Sequence, residues 1–70
     1  MATLSVQTKV DNYKRIAWMR ATIVACEESI QKIMEVMYDK YKNPDKMIRW
    51  LMGKIIYLET TIDAIREINR

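Results

Sequence analysis

The chain has 70 residues, one cysteine, no histidine and a formal net charge of +3. A chain of this length forms one domain with a small core, and it often needs a disulfide, a metal ion or self-association for stability. One cysteine excludes an intrachain disulfide, and without histidine the usual structural zinc site cannot be assembled. We therefore expect no metal or cofactor, and self-association remains, since 50% of the residues are hydrophobic.

The sequence carries no recognisable signal for secretion or membrane insertion. Its start, MATLSVQTKV, is polar and alternating, unlike the apolar segment of a signal peptide. No uninterrupted apolar run is long enough to cross a bilayer. A lone thiol is typical of reducing compartments, so we expect a cytoplasmic protein.

Proline and glycine interrupt the chain once each, at Pro44 and Gly53. In the segment KNPDK, Asn43 precedes the proline and is therefore disfavoured in helical geometry, but it can cap the helix that Pro44 begins. Asp45 would then face the positive end of that helix. We predict a first helix over about residues 8–42, a turn at 43–45 and a second helix over about 44–68.

The first ten residues follow two patterns. Their apolar residues alternate with polar ones, as in a strand, although Val6 and Val10 also have helical spacing. Thr8 with Asp11 offers a loose helix cap. We expect residues 1–10 to form a frayed arm, with the helix firmly established from Asp11.

Two heptad seams predict the fold. Large apolar residues recur at alternating intervals of three and four along both helices, as in helices that pack lengthwise. The seam residues are Ile16, Met19, Ile23, Cys26, Ile30, Ile33 and Met37 on the first helix, and Ile48, Leu51, Ile55, Leu58, Ile62 and Ile65 on the second. Two such seams joined by a tight turn predict an all-α fold, an antiparallel helical hairpin that forms a single domain.

Each helix also carries apolar residues outside its seam, which a hairpin alone would leave uncovered. On the first helix small residues recur every four positions, a spacing that lets another helix approach closely. The first helix is also the longer one, so its start would find cover only on another chain. We expect a homodimer, most simply a four-helix bundle. The dimer-packing candidates are Val10, Tyr13, Ala17, Trp18, Ala21 and Ala25.

The second helix has an outer row of residues around its single glycine. Trp, Tyr and Arg are enriched at interaction hot spots. A glycine inside a helix costs about 1 kcal/mol relative to alanine, which indicates that a neighbour uses the space. That neighbour is either a protein partner or a second copy of this chain. The protein-docking candidates are Arg49, Trp50, Gly53, Ile56 and Tyr57.

Basic residues gather near both ends of the hairpin, whereas the middle of the first helix is acidic. The segments NYKR and YDKYKNPDK interleave tyrosines with cations, which can stack on bases and neutralise phosphates. The candidates for such contacts are Lys14, Arg15, Lys40, Lys42 and Lys46. Nucleic-acid binding is therefore our alternative hypothesis.

Catalysis is not expected from this set of side chains. Neither serine has an evident base, and Cys26 lies in a seam, where a thiol acts as a small apolar residue. Glu27 and Glu28 are sequence neighbours and point to different sides of a helix, so they make a poor acid and base pair. We predict a non-catalytic regulator or adaptor that binds another protein, of a kind that suits a phage or other mobile element.

Overall fold

The structure is a computed structural model that describes residues 4–70, apart from the side chain of Met37. Throughout these residues the regular structure is helical, and two long helices pack against each other. Helix α1 spans Val6–Lys32, and helix α2 spans Pro44–Ile68. The predicted all-α hairpin is confirmed.

The connection between the helices is itself helical but irregular. As an α-helix α1 ends at Lys32, and not at residue 42 as predicted. The chain then forms a π-helical turn over Ile33–Met37 and a short 3₁₀ turn over Tyr38–Lys40. Such turns are still helical, but their repeat differs from that of an α-helix. The spacing of apolar residues alone therefore does not reveal where the α-helix ends.

The start of α1 is fixed by a serine. Where we expected a frayed arm, the structure continues the helix back to Val6, and residues 1–3 lie outside the described part of the chain. The Ser5 hydroxyl oxygen accepts a hydrogen bond from the backbone N–H of Thr8 at 3.1 Å, and the two hydroxyls are 2.8 Å apart. This cap, and not the expected pair of Thr8 and Asp11, satisfies a free N–H at the helix end.

The start of α2 follows the prediction. Asn43 is the N-cap, and its side-chain oxygen accepts a hydrogen bond from the backbone N–H of Lys46 at 3.2 Å. Pro44 occupies the first helical position, where a missing N–H costs nothing. Asp45 lies in the first turn and accepts a hydrogen bond from the Tyr38 hydroxyl at 3.0 Å. The turn is therefore held by side chains on both of its flanks.

The two heptad seams meet in a single layer of apolar contacts. All nine apolar residues found buried within the described ranges belong to the predicted seams, and Ile30, Ile48 and Ile55 pack half-buried at their edges. The buried set consists of Ile16, Met19, Ile23, Cys26, Ile33, Leu51, Leu58, Ile62 and Ile65. In the described part of the chain no large side chain is completely enclosed, because each helix covers only one side of the other.

The hairpin is a thin rod that measures 54 × 16 × 13 Å. Its radius of gyration is 16.1 Å, whereas a compact chain of this length has a radius of about 11 Å. Asn69, just beyond α2, contacts Lys9 and Asn12, so residues 4–8 extend past the end of the second helix. A large part of the surface of both helices therefore faces outward.

Candidate docking surfaces

The outer row of α2 lies in solvent in the hairpin. Trp50 and Ile56 are both 63% exposed, and Tyr57 is similarly open. A Cβ atom built on Gly53 would meet nothing within 4 Å, and the backbone there does not need a glycine. The space beside Gly53 is thus free in a single chain, as a docking surface requires.

This row forms a broad face and not one cleft. At about 100° per residue, Ile56 lies about 120° around the helix from Trp50. The ammonium nitrogen of Lys54 lies 5.2 Å from the centroid of the Trp50 ring, a cation–π contact that covers one face of the indole. Arg49 and Tyr57 are exposed on the same outer side of α2. The predicted docking residues are therefore accessible together, but a partner would need to be large to touch all of them.

Trp50 also lies at the edge of two adjoining grooves at the turn end of the hairpin, which we call the turn-end grooves. They share three residues, Tyr41, Met47 and Trp50. The first groove encloses about 410 Å³ and is completed by Lys42, Asn43 and Lys46. The second groove is completed by Ser29, Lys32, Ile33 and Leu51.

Two residues of this site, Tyr41 and Met47, are not among the predicted docking residues, although Tyr41 belongs to the segment YDKYKNPDK that suggested nucleic-acid binding. Tyr41 falls outside both seams and lies in the bent segment before α2, so no helical spacing places it. Met47 precedes Trp50 by three residues, a spacing that puts both on one side of α2, and this signal could have linked them. Only the observed path of the turn brings Tyr41 next to that pair.

The dimer-packing candidates on α1 are likewise uncovered. Trp18 is 66% exposed, and Val10, Tyr13 and the three alanines are also open to solvent. Ala21 lies about 160° around α1 from the buried residue Ile23, at about 100° per residue. The row of small residues therefore faces away from α2, where a further helix could approach.

The basic candidates form two separate groups. Lys40, Lys42 and Lys46 are exposed around the turn, and the last two line the first turn-end groove. Lys14 and Arg15 lie in the first half of α1, roughly 25 Å or more from the turn at 1.5 Å per residue. The structure thus does not join the five cations into one continuous track.

The described residues include few side chains arranged for catalysis or metal binding. Cys26 is buried in the core, and no group of three or more metal-ligating side chains occurs in residues 4–70. Ser29 lines the second turn-end groove, but no Asp or Glu lines that groove. A hydrogen bond to the Asp45 carboxylate, together with its negative charge, raises the pKa of the Tyr38 hydroxyl.

None of the described helices has the combination of length and apolar character needed to cross a membrane. The chain matches no family model, and neither a curated protein nor a solved structure shows significant similarity to it.

Proposed function

We propose that this chain is a non-catalytic interaction module, a homodimer that presents its second helix to another protein in the manner of a small regulator or adaptor. The observation that supports this proposal is the uncovered apolar surface of the hairpin. Among the residues that the structure describes, fourteen large hydrophobic side chains are exposed, compared with nine buried apolar residues. Among them, Met47 and Trp50 line the same two grooves, and an exposed apolar patch is typical of a surface that binds another macromolecule.

The size of the exposed surface suits a second chain. The hairpin exposes 5744 Å², whereas a compact monomer of its mass exposes about 4600 Å². The difference, about 1100 Å², exceeds the roughly 800 Å² that each partner buries in a standard stable interface. The excess surface is therefore large enough to supply one standard interface with a second chain.

The row of small residues on α1 suits a second copy of the chain better than the outer row of α2 does. Ala17, Ala21 and Ala25 follow one another at four-residue intervals, so two backbones can approach closely along them. A two-fold dimer brings the same row of both copies together, and such a row of small residues is complementary to itself. The resulting assembly has four helices and leaves the outer row of α2 for a different protein.

Two matched substitutions that each introduce a charge test this arrangement. Ala21→Glu and Gly53→Glu each add one negative charge at an exposed mid-helix position, and neither position touches the core. We expect Ala21→Glu to give monomers in sedimentation velocity, while Gly53→Glu remains dimeric. Far-ultraviolet circular dichroism controls for helix content. The opposite result would place the contact between copies on α2, and a monomeric parent chain would contradict the dimer.

Nucleic-acid binding is the second candidate, supported by two aromatic residues and two lysines in one groove, Tyr41, Trp50, Lys42 and Lys46. It predicts affinity that falls steeply with added salt, because bound phosphates release counterions. Joint replacement of Lys40 and Lys42 by glutamate would then weaken binding uniformly across sequences. The absence of any gel shift at low salt would exclude this candidate.

A further inference from the structure

The turn-end grooves have an apolar floor that is anchored in the core. Tyr41 is half-buried and packs against the buried cluster that contains Cys26 and Leu51. Met47 and Trp50 continue this floor outward and are both exposed. Aromatic and methionine side chains of this kind are enriched at the centres of protein interfaces.

The turn that forms the floor is fixed on both flanks. Asn43 caps α2 through the N–H of Lys46, and the Tyr38 hydroxyl bonds Asp45 across the turn. A surface that is formed before binding loses less conformational entropy when its ligand arrives. The grooves therefore offer a preorganised site in each chain.

Three lysines border this floor without a matching carboxylate. Lys42 and Lys46 line the first groove and Lys32 lines the second, and neither lining includes Asp or Glu. The ion pair found in residues 4–70 joins Arg70 to Glu67, at the opposite end of the hairpin. The positive charge at the grooves is thus available to an anionic ligand.

We infer that the turn-end grooves bind an acidic peptide segment that places a large apolar side chain on Tyr41, Met47 and Trp50 and its carboxylates near the lysines. This inference rests on the proposed function and names the chemical class of the protein partner. Amphipathic helices commonly bind in this way, and complementary charge fixes their orientation. A nucleic-acid strand fits less well, because the second basic group, at Lys14 and Arg15, lies roughly 25 Å or more away along α1.

The test uses a fluorescein-labelled peptide with leucine at positions i, i+4 and i+7 and glutamate elsewhere. A control peptide has glutamine in place of each glutamate. In a Trp18→Phe chain Trp50 is the one remaining tryptophan, since the sequence contains two. We expect the acidic peptide to raise the fluorescence anisotropy, to bind more tightly than the control peptide and to shift the Trp50 emission to the blue.

Two double variants with equal charge change locate the site. Joint replacement of Lys42 and Lys46 by glutamate removes the rim of the first groove, and we expect affinity for the acidic peptide to fall about tenfold. Joint replacement of Lys14 and Arg15 by glutamate changes the net charge by the same amount at the distant end. We expect this control to lower affinity by no more than about twofold, because charges this far from the groove act on the peptide only through screened, long-range electrostatic interactions.

Two results would overturn the inference, namely the absence of peptide binding and equal losses in the two double variants. If the peptide fails and single-stranded oligothymidylate binds, the grooves bind nucleic acid instead. Because each groove lies within one chain, a failed dimer would not abolish peptide binding. Sedimentation of the same samples therefore separates failure of this inference from failure of the proposed dimer.

Discussion

Asn12 and Asn69 join the open end of the hairpin through their side-chain amides. The Asn12 Nδ2 atom donates a hydrogen bond to Asn69 Oδ1 at 2.8 Å, and Asn69 Nδ2 donates to the Lys9 carbonyl at 3.1 Å. The backbone N–H of Asn69 donates to the Ile65 carbonyl, so the residue also caps α2. Asn69 is only 6% exposed, and this directional contact favours one register of α1 against α2.

Replacing Asn69 by alanine should destabilise the hairpin by about 1–3 kcal/mol, because it removes a buried amide and leaves Asn12 without its partner. Urea denaturation of Asn69→Ala, Asn12→Ala and the double variant measures the coupling between the two residues. We expect a coupling energy of about 1 kcal/mol. Strictly additive losses would show that the two amides do not stabilise each other.

Two isoleucines on α2 allow a matched comparison of buried and exposed positions. Ile62 is 5% exposed and Ile56 is 63% exposed. Replacing Ile62 by alanine should cost about 2–5 kcal/mol, because it leaves a cavity in the core. The same change at Ile56 should cost no more than about 0.5 kcal/mol. Thermal unfolding measures both, and similar losses at the two positions would contradict the exposure of Ile56.

Replacing Gly53 by alanine should stabilise the chain by about 1 kcal/mol, because alanine has the higher helix propensity. The structure offers no steric objection, since an added Cβ meets nothing within 4 Å. Ala64→Gly makes the reverse change at another exposed position of α2, and this control should lower the free energy of unfolding by a similar amount. A lower melting temperature for Gly53→Ala would instead show that a second chain packs against the glycine.

The Tyr38 hydroxyl should make stability depend on pH in the alkaline range. Its hydrogen bond to Asp45 raises its pKa above the ordinary value of 10.0, so the folded chain holds this proton more firmly than the unfolded chain. The stabilisation is fully present below the unfolded pKa and is lost as pH rises through the folded pKa. Chemical denaturation at several alkaline pH values, with Tyr38→Phe as the control, should show the added dependence only in the parent chain.

The pairing of the helices could be predicted because both seams obey simple rules. Residues such as Ile23 and Leu58 recur at heptad spacing, and that spacing already selects the side of each helix that becomes buried. The cap at Asn43 was also predictable, because a proline at the next position favours it strongly. These features depend on neighbours within a few residues, which a sequence displays directly.

Other features depend on contacts that no local pattern contains. The bond between Asn12 and Asn69 requires both helices to be in register first. The apolar spacing of the sequence continues to Met37, but the α-helix changes to a π-helical turn at Ile33–Met37, so the predicted end of the helix was too late. Tyr41 enters the turn-end grooves because of the shape of the turn, which its residue types alone do not determine.

The claim that the hairpin acts as a dimer is tested most directly by sedimentation equilibrium of the parent chain over a wide range of concentrations. One chain has a mass of 8.4 kDa. We predict the mass of two chains at high concentration, with reversible dissociation on dilution and a melting temperature that rises with concentration. A single-chain mass at every concentration, together with cooperative unfolding that does not depend on concentration, would contradict the proposed dimer.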